Sequence, residues 1–128
     1  MSIRLSAPRK LQCLLAGAVA TTQPDVMVCF RDIKRKLQAD FQAQTKVSTT
    51  SGATAVDICD APDPAVVREV DTIMVRNNDT ASVSATIRYN DNGTTYKIIT
   101  VTLLTLENLC YAAGSGWRVI DASGNVKQ

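Results

Sequence analysis

Ser82-Val-Ser-Ala-Thr-Ile-Arg-Tyr-Asn-Asp-Asn-Gly-Thr-Thr-Tyr-Lys-Ile-Ile-Thr-Val-Thr-Leu103 decides the fold class. Val83, Ala85, Ile87 and Tyr89 alternate with polar partners, the period of two that marks a half-buried strand. Asn90-Asp-Asn-Gly93 then supplies residues that tolerate positive φ. Thr94 to Leu103 returns as a β-branched strand. Its apolar phase slips between Ile98 and Ile99, which predicts a bulge there. An antiparallel hairpin over 82–103 follows.

The same two-residue rhythm extends outward. Val26, Val28 and Phe30 share one face of a strand over 26–33, and Val70, Ile73 and Val75 mark another over 66–76. Residues 11–19 read as the first strand and Ala55–Cys59 as a short one. Asp60-Ala-Pro-Asp-Pro64 forbids regular pairing, because proline lacks the amide donor. Leu37, Ala39, Phe41, Ala43, Thr45 and Val47 alternate with polar residues, while Ile33, Leu37 and Phe41 also fit a helical spacing. The alternation is the cleaner pattern, so residues around 31–50 are expected as an extended arm. Glu107–Tyr111 and Gly116–Asp121 form a last hairpin around the only tryptophan, Trp117. With turn signals this close together and no clear helix, the expected fold is an all-β antiparallel sandwich, jelly-roll-like, in a single domain over residues 1–128.

Composition bounds the chemistry. The chain has 128 residues, 45% hydrophobic and 20% charged, which suits one globular domain. It has no histidine, which excludes a Ser-His-Asp triad, a Cys-His dyad and a His-containing zinc site. Cys13, Cys29, Cys59 and Cys110 are scattered without a CxxC pair and lie in apolar or alternating stretches. They are expected as reduced, mostly buried thiols, as in a reducing cytoplasm. Two disulfides are the other reading.

Arg4, Arg9 and Lys10 before Leu11–Gly17 imitate a secretory signal, but Gln12 interrupts the apolar run. No stretch approaches the roughly 20 apolar residues of a membrane-spanning helix. Asp57, Asp60 and Asp63 are spaced as possible Ca²⁺ ligands, but Pro62 and Pro64 stiffen the loop and the glycine and glutamate of an EF-hand are missing. A solvated acidic loop is the preferred reading. No catalytic, cofactor-binding or metal-binding residue is assigned.

Charge is uneven: net +5 over residues 1–46 and net −3 over 47–128. Arg31, Lys34, Arg35 and Lys36 form the only basic cluster and are the candidate interface, facing acidic side chains of another chain. The bland alternative is a solvated face. Nucleic acid is not expected, since no aromatic stacking platform accompanies the cluster. Trp117 and Tyr111 are candidate core anchors, with Trp117 expected to plug one end of the sandwich near Ile99. A sugar-stacking surface of Tyr89, Tyr96, Tyr111 and Trp117 is the competing reading.

The order of several segments carries a resemblance. Lys10-Leu-Gln-Cys-Leu-Leu-Ala-Gly-Ala-Val-Ala-Thr-Thr-Gln23, Ala55-Val-Asp-Ile-Cys-Asp-Ala-Pro62, Arg68-Glu-Val70 and Ile73-Met-Val-Arg-Asn-Asn-Asp79 precede the Asn-Asp-Asn-Gly hairpin. Gly116-Trp-Arg-Val-Ile-Asp121 closes the series. Together they resemble small virion structural proteins of tailed bacteriophages, over most of the chain and least over 31–50. The resemblance implies a non-enzymatic virion component, assembled in the host cytoplasm as a symmetric homo-oligomer beside other virion proteins. It points to the tail, its fibres or the head-to-tail region. A capsid decoration protein and a carbohydrate-binding adhesin module are the alternatives.

Overall fold

The computed structural model describes residues 3–34 and 41–127, the side chains of Lys34, Phe41 and Gln42 excepted. These residues form strands and no helix. The strands are β1 (Ile3–Ser6), β2 (Lys10–Leu15), β3 (Asp25–Lys34), β4 (Phe41–Thr49), β5 (Val56–Cys59), β6 (Val66–Arg76), β7 (Val83–Asp91), β8 (Thr94–Leu103), β9 (Asn108–Ala112) and β10 (Gly116–Ile120). One sheet, A, runs β10-β9-β6-β3-β4, with β1 also on β6. The other, B, runs β5-β2-β7-β8. Every pairing between these strands is antiparallel, and the sheets pack face to face as a β-sandwich.

The alternating residues do the packing. Leu11, Cys13, Leu15, Val83, Ala85, Ile87 and Leu103 line the inside of sheet B, against Leu5, Val26, Val28, Phe30, Val70, Ile73, Val75, Leu109 and Val119 of sheet A. Each large aliphatic chain buried this way contributes about 1.5–3 kcal/mol.

The β7–β8 hairpin is as the sequence predicts. Asp91 pairs with Thr94 across a two-residue turn of Asn92 (φ 52°) and Gly93 (φ 105°). Positive φ at both positions matches the right-handed twist of the flanking strands. Asn90 Oδ1 accepts from the Gly93 amide at 2.8 Å. Ile87 faces Ile99 and Arg88 faces Lys97, so Ile98 is the inserted residue of a bulge. A second bulge lies in β6. Cys29 faces Thr72 and Phe30 faces Val70, leaving Asp71 extra, which is why Val70 and Ile73 are three residues apart yet both face inward.

Two expectations change. Of the stretch expected as an arm, residues 31–34 end β3, 41–49 form an edge strand paired with β3 from Asp25↔Thr49 to Ile33↔Phe41, and 35–40 lie outside the described residues. The alternation over 41–49 reflects strand geometry, and pairing with β3 keeps that strand on the sheet. The first strand is β1, with β2 following at Lys10–Leu15 rather than 11–19.

A buried polar knot ties the loops at one end. Asp79 accepts from the amides of Ala20 (2.9 Å), Thr21 (2.8 Å), Thr22 (3.2 Å) and Thr80 (2.9 Å), and from the Thr21 hydroxyl (2.8 Å). Asn77, fully buried, accepts from the Asp79 amide and donates to the carbonyls of Ala81 and Leu103. The amides of Ala20, Thr21 and Thr22 hold the Asp79 carboxyl well below its ordinary range. A depressed acid stabilises the fold above its unfolded pKa, near 4, and that contribution fades as pH falls toward the folded value. Asp79→Asn is therefore expected to melt below wild type at pH 7, with the gap narrowing below about pH 4. Thermal melts across that range check this; a gap independent of pH would contradict it.

Candidate interaction surfaces

The two outer faces differ in chemistry. On sheet B, Asp57 accepts from Lys10 Nζ (3.0 Å) and Gln12 Nε2 (2.8 Å). Gln12 Oε1 accepts in turn from Arg88 Nε (3.0 Å) and Asn90 Nδ2 (3.2 Å). Burial alone would raise the Asp57 pKa; the bonds from Gln12 and Lys10 outweigh it and hold it low. Thr86 and Thr100 share a hydroxyl contact of 2.9 Å farther along this face. An open polar cleft of about 580 Å³ sits beside the network, between Pro8, Lys10, Asp57, Asp60 and Asn92. Its charges are matched within the chain, since Lys10 pairs with Asp57 and Lys46 with Asp60 (2.9 Å). Among the described residues, no group of three acidic or thiol side chains is placed to hold a metal ion.

Sheet A carries an apolar row on its outside. Val47, Met27, Met74 and Cys110 follow one another across β4, β3, β6 and β9, and Arg118 ends the row on β10. Met27 is 38% exposed, Met74 36% and Val47 65%. The inward phase of Val26, Val28 and Phe30 forces Met27 outward, so apolar side chains occupy polar positions of the pattern. Hollows of about 240 and 300 Å³ lie on this face and share Met27 and Met74 in their walls. Methionine walls adapt to an incoming side chain.

Of the basic cluster, Arg31 alone has its side chain among the described residues. Arg31 donates to Glu69 at 2.6 Å and lies 3.7 Å from Asp71, while Arg4 approaches Glu69 at 3.2 Å. The hydrogen bond with Glu69 raises the Arg31 pKa, and the same bond lowers that of Glu69. Arg31 thus has acidic partners on its own sheet, 38 residues away in sequence. Lys34 ends β3, and Arg35 and Lys36 lie outside the described residues. One ion pair was not foreseen. Arg68 grips Asp32 with two bonds (2.7 and 3.0 Å) and stands 4.3 Å over the Phe30 ring.

Nor was the loop between β8 and β9 foreseen. Leu106 takes φ 66°, a left-handed conformation costing a leucine roughly 1–2 kcal/mol. Yet Leu106 is 43% exposed and Leu104 is half exposed, so core packing does not offset that cost. The loop is held firmly nonetheless. The Leu106 amide donates to the Asn77 carbonyl (2.7 Å), Asn77 N to the Glu107 carbonyl (3.0 Å), and Glu107 N to the Leu104 carbonyl (3.0 Å). The buried Glu107 carboxylate accepts from Leu104 N (2.9 Å) and pairs with Lys127 (3.2 Å). Nothing in the sequence marks this conformation, because leucine is not a turn residue.

Tyr111 is buried in the core. Trp117 is half-buried, facing Tyr111 across β9–β10 with ring centroids 4.9 Å apart. It borders a hollow shared with Ile99, Val101 and Leu109. Tyr89 and Tyr96 form a separate pair on sheet B, 6.4 Å apart. The four aromatics thus fall into two pairs on different sheets.

No protein-family model, no curated protein and no solved structure matches this chain.

Two outcomes are expected here. Tyr111→Ala should cost about 3–5 kcal/mol, as for a buried aromatic, and Trp117→Ala less, because solvent already reaches the indole. Urea titration of both variants measures this; the reverse order would place Trp117 at the centre of the core. All four cysteines are free thiols, Cys13 and Cys59 buried, Cys29 and Cys110 partly exposed. Burial pushes the Cys13 thiol up to about 12 and Cys59 up to about 11. A thiol reagent at pH 8 should therefore label Cys29 and Cys110 in the folded chain, and Cys13 and Cys59 only after denaturation. Rapid labelling of all four in the native state would contradict this burial.

Proposed function

We propose that this chain is a non-enzymatic structural component of a tailed-phage virion, in the tail, its fibres or the head-to-tail region, acting through contacts between subunits. The observation that carries the reading is the apolar row of Val47, Met27, Met74 and Cys110 on the outside of sheet A. An apolar row running across four strands of one outer face is the kind of surface a subunit can set against a neighbour. Sheet B differs around Gln12, where its outer face is a satisfied polar network suited to water, while Tyr96 and Ile98 stand exposed on β8. The resemblance of the ordered segments to small virion proteins of tailed phages supplies the biological setting.

A capsid decoration protein would use the same apolar row, and the position of the chain in the particle separates the two. The adhesin reading loses its main support, since the aromatics do not gather into one platform. Quantitative mass spectrometry of purified particles, with labelled antibody located by electron microscopy, tests the proposal. The expected result is a fixed copy number per virion and label at the tail or neck. Absence from particles would overturn the virion role, and label over the whole capsid surface would move the chain to decoration.

A further inference from the structure

We propose that the free edge of β8 pairs with itself, and that Ile99–Leu103 of one copy lies antiparallel to Ile99–Leu103 of a second copy about a two-fold axis at Val101. The B sheets of the two copies then run on as one. This deepens the reading above and rests on it for the biological role, although the contact itself belongs to the chain alone.

The treatment of the sheet edges singles out this stretch. An uncovered edge strand offers unpaired main-chain groups to any other strand, and proteins blunt such edges with short length, charge, bulges or cover. Strands β1 and β5 have four residues each. Strand β4 carries Lys46 near its middle. Strand β10 is covered by the tail, where Val126 bridges Ile120 and the Lys127 amide donates to the Val119 carbonyl (2.7 Å). Strand β8 has ten residues, and among the described residues no strand pairs with its far side. Its first half holds Lys97 and the bulge at Ile98. Beyond the bulge, Ile99-Thr-Val-Thr-Leu103 has no charge, no bulge and β-branched side chains at every position but the last.

The direction of the main-chain groups fixes what this edge can take. The Ser84 carbonyl accepts from the Ala16 amide (3.0 Å), just past the end of β2, so Ser84 turns its main-chain groups away from β8. Antiparallel alternation turns those of Val83, Ala85 and Ile87 toward β8, where they meet Leu103, Val101 and Ile99. Thr100 and Thr102 therefore direct their N–H and C=O off the edge. The 2.9 Å contact between the Thr86 and Thr100 hydroxyls agrees, since side chains stand closest at pairs without main-chain bonds. The occupant follows from the symmetry of the stretch. Two copies centred on Val101 place Thr100 of each opposite Thr102 of the other, and each such pair exchanges both main-chain bonds. Lys97 lies outside the paired stretch, so no like charges face each other within it. On the inner side, Val101 is half-buried and borders, with Ile99 and Trp117, a hollow of about 280 Å³. One charge stands at its rim, Arg118, exposed to solvent. Val101 of the second copy packs against Val101 beside this hollow.

The test uses the full chain at low salt, where charge effects are largest. Thr100 and Thr102 are exposed, so two double variants at these positions should melt alike. Thr100→Glu with Thr102→Glu sets like charges opposite each other across the axis. Sedimentation equilibrium should show its dimerisation weakened at least about tenfold relative to wild type. The net charge of that variant, +2 − 2 = 0, leaves general repulsion between chains out of the comparison. Thr100→Lys with Thr102→Glu sets opposite charges there and should dimerise within about threefold of wild type. A wild-type chain monomeric up to about 1 mM, or two double variants that associate alike, would overturn the proposal. Incorporation of the same chains into particles separates the two readings. Dimerisation as expected with no copies in virions would sustain the contact and sink the virion role. A chain that is monomeric alone, yet enters particles as wild type and not as the Glu–Glu variant, would sustain the virion role, overturn self-pairing and give this edge to a strand of a different virion protein.

Discussion

The sandwich depends on β6 being hydrogen-bonded on both sides along its length. One side is taken by β3, from Val66↔Lys34 to Arg76↔Asp25. The other is divided between two strands, β1 against Val67–Val70 and β9 against Thr72–Arg76. The change of partner falls at Asp71, the bulged residue, whose carbonyl accepts from the Ala113 amide and whose carboxylate faces Arg31. Val70 and Ile73 can both point into the core only because the bulge restores the phase between them. A bulge at this point thus serves sheet continuity, core packing and charge pairing together.

From that scaffold the two faces diverge. The inner faces are filled by aliphatic chains, and their alternation leaves no freedom over what points outward. On sheet B, Gln12, Asp57, Arg88, Asn90 and the Thr86–Thr100 pair satisfy one another, and Tyr96 and Ile98 of β8 are exposed beside them. On sheet A the outward positions near Asp71 hold matched charges, and those farther along β3 and β6 hold Met27 and Met74. Exposed apolar area of this kind is tolerated in a protein whose working state covers it. The strained, rigid loop at Leu104–Leu106 adds a convex apolar element to the same molecule.

Local features were legible in the sequence and non-local ones were not. The Asn92-Gly93 turn and the bulge at Ile98 follow from turn chemistry and from a slipped alternation, both contained within a few residues. Strand β1 was missed because its four residues, Ile-Arg-Leu-Ser, are too few to show a period. The alternation over 41–49 announced an extended segment but could not show that it lies back on β3. Arg31 looked like part of an available basic cluster because Glu69 and Asp71, its partners, are far away in the chain. Asn77 and Asp79 read as turn residues; their role in locking three loops needed the fold. The outward methionines were implicit in the inward phase of their neighbours, but Leu106 at positive φ left no trace in composition or spacing.

Oxidation footprinting of Met27 and Met74 tests most directly whether the outer face of sheet A is a covered surface. Peroxide converts exposed methionine to the sulfoxide, and burial slows the reaction. In dilute, dissociated chain both residues should oxidise readily, and in assembled particles both should be protected while the fold is unchanged. Equal oxidation in the two states would mean that this face stays open to water, and that the contacts of the chain lie elsewhere.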